Sequence, residues 1–180
     1  MTNRLIFLII LTINISIDSN AQVAEFRVGE IFPFSEIETM KEGKTYSIDK
    51  LDTELLVMNF WNIGCKGCLL EMPFLNKIHD THRDESITFW SVTLNSGHSL
   101  YNYLVKHPIK WEIKGNVDFM GLSNRSSSNI VKSQFNIKCM PTTIVINKDK
   151  EILYAKCGPL MDDENGAKFV ELLKTCNHWE

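Results

Sequence analysis

From Leu55 to Trp61 the chain is apolar except at Asn59, the pattern of a strand covered on both faces. A short turn containing Gly64 follows. Apolar residues at 68, 69, 72, 75 and 78 then recur at helical spacing, which predicts a helix from Cys65 to about His79. Pro73 falls inside that helix and is expected to kink it, because it removes one backbone donor. Ile87 to Leu94 reads as a second core strand, and Ser99 to His107 as a helix stopped by Pro108. Trp111 to Asn116 suggests a short strand, and Ser126 to Phe135 a helix capped by a serine. The β-branched run Thr142 to Ile146, the polar turn Asn147 to Lys150 and the return Glu151 to Lys156 form a predicted hairpin. An amphipathic helix from Gly166 to Cys176 closes the chain, while residues 22–54 are mixed, with a short extended stretch at Tyr46 to Ile48.

Strands alternating with helices, then a hairpin and a last helix, predict one α/β domain with a mixed central sheet. The 180 residues carry 44% hydrophobic and 23% charged side chains, enough for a packed core. A net charge of −3 argues against nucleic acid, which wants a basic face, and supplies no polybasic patch for an anionic membrane.

The first 21 residues have a different character. Arg4 is the only charge before Asp18, Leu5 to Ile17 is largely apolar, and Ser19-Asn20-Ala21 offers small residues at the positions a signal peptidase reads. The expectation is a cleaved signal peptide over 1–21, followed by the mature domain over 22–180. An uncleaved membrane anchor is the alternative, although the run is well short of the roughly 20 residues that cross a bilayer. Export, to a periplasm or an equivalent space, would place the cysteines in an oxidising compartment.

Cysteines stand at 65, 68, 139, 157 and 176, an odd number that cannot all pair within one chain. Cys65-Lys66-Gly67-Cys68 comes directly after the buried strand and opens the predicted helix. Two thiols three apart at that place can close a small disulfide ring. The first faces unpaired amide donors and the positive end of the helix dipole, which favour its thiolate. Such a setting lowers a thiol pKa from about 8.5 to roughly 3.5–7.5. Cys65 is therefore the expected nucleophile and Cys68 the more buried resolving thiol. A zinc site would need a second ligand pair, and haem attachment would need His where Leu69 stands, so neither metal nor cofactor is expected. A permanent structural disulfide is the bland alternative.

Val57-Met58-Asn59-Phe60-Trp61 through Cys65, Cys68, Glu71 and Pro73, together with Lys138-Cys139-Met140-Pro141-Thr142-Thr143 and Gly158, resembles the thioredoxin superfamily. The likeness is specifically to its exported TlpA/ResA-like thiol–disulfide oxidoreductases, and it runs from about Gly29 to Leu173. It implies a thioredoxin-like fold, a central mixed sheet flanked by helices with the N-terminal extension of the exported branch. It also implies a cis Pro141 beside the dithiol, with the backbone of Met140 open to an extended substrate. Glu71, on the helix face of Cys68, would tune the thiols or move a proton, the alternative being a solvated helix glutamate. Thioredoxin carries a buried Asp where this chain has Asn59, so Glu71 is the candidate base. Gly64 and Gly67 depart from the usual Trp and Pro, and Gly67 is expected to shift the reduction potential.

The resemblance implies exchange with exported proteins that carry disulfides or thiols, more in the reductive than the oxidative direction, with a membrane or soluble electron donor and a monomeric state. A peroxidase of the related peroxiredoxin branch would want Thr at position 62, which is Asn. A non-catalytic or copper-handling module is the remaining alternative, although copper-delivering relatives space their cysteines one residue wider. Cys139 is expected near the rim of the site, open to glutathione or to dimerisation, or else packed. Cys157 is expected to point into the core. A 157–176 bridge is not expected, because the last helix, at 1.5 Å per residue, separates the two by about 20 Å. His79 and His82 are expected to be solvated.

Overall fold

A computed structural model describes residues 26–39, 45–82, 86–115 and 139–175, together with 117, 135 and 137. The expected leader and most of the helix expected over Ser126 to Phe135 lie outside the described residues, as does Cys176.

The apolar run becomes β3 (Leu55–Trp61) after a small N-terminal hairpin, β1 (Glu36–Glu38) and β2 (Thr45–Ser47). Then follow α1 (Lys66–His82), β4 (Ile87–Thr93), α2 (Gly97–Lys106), β5 (Glu112–Lys114), β6 (Thr142–Asn147), β7 (Ile152–Cys157) and α3 (Glu164–Thr175). The five-stranded sheet has the order β5-β4-β3-β6-β7. β3 runs parallel to β4 and antiparallel to β6, which gives the mixed sheet expected from the pattern.

β3 is buried at every position because both of its faces are covered. Its side chains alternate. Leu56, Met58 and Phe60 enter one core with Phe32, Ile37 and Phe135, whereas Leu55, Val57 and Trp61 enter the other with α1 and α3. By the same alternation Asn59 faces α1 and Thr143, opposite it in β6, does likewise. The only polar position of the strand is thereby aimed under the helix that carries the cysteines.

Two expectations about α1 are corrected. It continues one turn further, to His82, with Pro73 inside it and exposed. His79 and His82 are not solvated: His82 is buried, and His79 packs edge-on against Phe89 at 5.3 Å and beside Trp111 at 5.9 Å. Both lie near the end of α1 that leans on β4, where an imidazole presents an apolar body.

Candidate active site

The chain leaves β3 through Asn62, Ile63 and Gly64. The Ile63 amide donates to Asn95 Oδ1 at 2.9 Å, and the Cys65 amide donates to the Asn62 carbonyl at 3.1 Å. Asn95, just past β4, therefore fixes the approach to the first cysteine. Cys65 stands immediately before the first residue of α1, in the N-cap position, and its Sγ accepts the Cys68 amide at 3.0 Å. This is the capping bond that a Ser or Asp N-cap makes, with sulfur as the acceptor. Cys65 and Cys68 are joined as a disulfide with Cα atoms 5.3 Å apart. Cys65 is half-buried and Cys68 has no exposed surface, which is the asymmetry expected of an attacking and a resolving thiol.

Below the pair lies Glu71, fully buried and not the solvated glutamate that was the alternative. Asn59 Nδ2 donates to Glu71 Oε1 at 2.8 Å and to Thr143 Oγ1 at 3.1 Å. The Leu160 amide donates to Glu71 Oε2 at 2.9 Å. Removal from water pushes the carboxyl pKa up to about 7, with the Leu160 and Asn59 hydrogen bonds and the charge of Lys156 opposing that rise. A buried acid poised near neutrality, one helical turn from Cys68, is able to take that thiol's proton.

The Met140–Pro141 peptide is cis, as the resemblance implies. Pro141 is buried, and Met140 is half-buried against the same apolar cluster as Cys65 and Cys68. A β-carbon placed on Gly67 would stand 3.2 Å from Pro141 Cδ and 3.7 Å from Pro159 Cδ. Gly67 is thus the point at which the cysteine turn packs against the proline segment.

Residues 156–160 form a strap that sequence reasoning missed. Lys156 Nζ donates to the Pro159 carbonyl at 3.0 Å, the Gly158 amide donates to the Pro141 carbonyl at 2.8 Å, and Pro159 lies against Gly67. Leu160 then supplies the amide held by Glu71. Only Gly158, with φ of 98°, signalled this turn in the sequence.

The two remaining described cysteines correct a further expectation. Cys157 does not enter the core. It is the last residue of edge strand β7, beyond the covered layers, and it is exposed and disulfide-bonded to Cys139 with Cα atoms 5.7 Å apart. Cys139 is accordingly neither a free rim thiol nor a merely packed residue. Among the described residues, no three His, Cys, Asp or Glu side chains are grouped to hold a metal ion.

The model of the Redoxin family matches residues 27–170. The chain belongs to the Redoxin family. Within it, this Redoxin is a TlpA/ResA-like member of the thioredoxin superfamily. It is 25% identical over 134 residues to the thiol-disulfide oxidoreductase ResA of Halalkalibacterium halodurans, covering 74% of this chain and 70% of that one. It is 27% identical over 123 residues to the sporulation thiol-disulfide oxidoreductase A of Bacillus subtilis, covering 68% and 70%. The fold is shared with the crystal structure of a thiol:disulfide interchange protein DsbE, so described provisionally, from Chlorobium tepidum. That likeness has a TM-score of 0.60 at 16% identity, covering 81% of this chain and 96% of that one. StoA of Bacillus subtilis gives 0.52 at 22%, covering 84% and 98%. This Redoxin is a thiol–disulfide oxidoreductase, a redox enzyme with a CxxC pair.

Proposed function

We propose that Cys65 attacks disulfides of exported proteins and that Cys68 resolves the mixed disulfide, with Glu71 as its base. The observation that carries this reading is the Cys65–Cys68 pair at the opening of α1, with the Cys68 amide donating to Cys65 Sγ. A thiolate at that position keeps the amide as a charge-assisted donor, together with the positive end of the helix. It attacks one sulfur of a substrate disulfide, and the other substrate sulfur leaves as a thiolate. Cys68, relieved of its proton by Glu71, attacks Cys65 Sγ, closes the 65–68 disulfide and frees the second substrate thiol. Two electrons pass to the substrate. A membrane or soluble dithiol donor then returns them to the pair.

Met140 and Pro141 form the substrate contact, with the Met140 backbone pairing with an extended segment, as in β-strand addition. The working direction is reductive, and the protein works as a monomer outside the cytoplasm after loss of residues 1–21. The leader's apolar run supports export, and none of the helices among the described residues is long and apolar enough to cross a membrane.

Reduction of insulin disulfides by the full chain tests this reading. Cys65→Ser is expected to abolish turnover, and Cys68→Ser to trap a mixed disulfide at Cys65. Activity that survives both substitutions would contradict the assignment.

A further inference from the structure

The second disulfide lies in the same structure as the proposed substrate contact. Cys139 immediately precedes Met140, and its carbonyl accepts the Thr142 hydroxyl at 2.7 Å. Cys157 begins the turn whose next three residues reach Pro141, Gly67 and Glu71 in succession. The Cys139–Cys157 bond is thus a clamp between the proline segment and the strap, and its Cys157 end is open to solvent. Opening it leaves the β6–β7 ladder in place, since Thr142 pairs with Cys157 and the Gly158 amide reaches the Pro141 carbonyl independently of the sulfurs. Its loss therefore loosens one clamp without dismantling the hairpin.

We propose that Cys139–Cys157 is a second redox couple, opened by small-molecule thiols through Cys157, and that its state sets how well the Met140–Pro141 segment holds substrate. The proposal rests on the reading of Met140 and Pro141 as the substrate contact. In the opening step a thiolate attacks Cys157 Sγ, the 139–157 bond breaks, and Cys139 leaves as a thiolate that takes a proton from solvent. A second small thiolate attacks the small-molecule sulfur of the mixed disulfide. Cys157 is released and protonated, and the small thiols depart as their disulfide. Two small thiols are oxidised to one disulfide while one protein disulfide becomes two thiols, so electrons and protons balance. The small-molecule disulfide closes the clamp by the reverse path. Nothing in this sequence needs Cys65 or Cys68, which separates it from the proposed substrate chemistry.

The test uses the full chain equilibrated in graded ratios of reduced to oxidised glutathione, alkylated, and analysed position by position by mass spectrometry. Cys139 and Cys157 are expected to gain label together, at a ratio distinct from that of Cys65 and Cys68, and to do so equally in a Cys65→Ser/Cys68→Ser variant. Exchange of the oxidised 65–68 pair with a dithiol peptide is then compared between the closed wild type and two open forms. These are Cys139→Ser/Cys157→Ser and, should that variant fold poorly, wild type reduced and alkylated at 139 and 157 alone. The open forms are expected to need about five-fold more peptide for half-saturation, the weight of roughly one backbone hydrogen bond, with a smaller change in limiting rate. If 139 and 157 stay unlabelled in native protein under a large excess of reduced glutathione, the bond is an inert staple and the proposal fails. Equal half-saturation in open and closed forms overturns the coupling to substrate. By contrast, a Cys65→Ser/Cys68→Ser variant that still turns over insulin contradicts the proposed function, while labelling at 139 and 157 is read independently.

Discussion

At the scale of single residues, the proposed base Glu71 is set apart by its complete burial beneath the two thiols. Its helical spacing from Cys68 was legible in the sequence, as was the absence of another buried acid at Asn59. Its burial and its Leu160 partner were not, because that amide comes from 89 positions further along the chain. With its carboxyl raised to about 7 from 4.5, chiefly by desolvation, Glu71 holds more protons folded than unfolded between those values. Its contribution to stability is therefore full below about pH 4.5 and is lost as pH rises through about 7. Glu71→Gln is expected to flatten that decline in urea unfolding, although its amide nitrogen must face one of the two donors, Asn59 or Leu160, that the carboxyl oxygens accept. The same substitution should lengthen the life of the mixed disulfide by about 10²-fold and abolish the inflection near neutrality in a single-turnover pH profile. Gly67 is the other residue whose role emerged only in three dimensions. Gly67→Ala gains helix propensity, yet its methyl would press on Pro141 at 3.2 Å. Insulin reduction is expected to fall with little change in melting temperature, and unaltered turnover would show that the cysteine turn and the proline segment tolerate separation.

At the scale of elements, β3, α1, β4 and the β6–β7 hairpin were readable because their apolar periods are strong and their ends carry turn residues. β1 was missed because three residues with one buried position make no period. α3 begins at Glu164, two residues before its expected start, because Asp163 Oδ1 caps it by accepting the Asn165 and Gly166 amides, each at 3.0 Å. That helix start positions the strap. A β-carbon on Gly166 would lie 1.8 Å from the Met161 carbonyl oxygen and 2.9 Å from Phe74, so the loop between Leu160 and α3 has no room for one. Gly166→Ala is expected to displace Met161, lower the melting temperature and weaken the Leu160–Glu71 bond. Nuclear magnetic resonance titration of Glu71 should then show its carboxyl moving further up. A titration identical to wild type would mean that the strap and α3 are independent.

At the scale of the whole molecule, the sheet order brings together what the sequence keeps apart. β3 and β6 are neighbours, so the turn leaving β3 and the proline segment entering β6 meet at one end of the sheet, and β7 returns the strap to the same end. The likeness to a family predicted the meeting of Cys65, Cys68 and Pro141. The Cys139–Cys157 bond escaped prediction because pairing two cysteines 18 residues apart needs the hairpin's register and the path of the chain before Pro141, neither of which a residue spacing encodes. The same assembly leaves the Cys65 sulfur at the mouth of α1 with an amide aimed at it. The direct measurement is the rate of iodoacetamide alkylation at Cys65 in the reduced full chain as a function of pH. The account predicts a midpoint well below the 8.5 or so of free cysteine, with Cys65 outpacing Cys68 at neutral pH. A midpoint at the free-cysteine value, with the two thiols equally reactive, would contradict it.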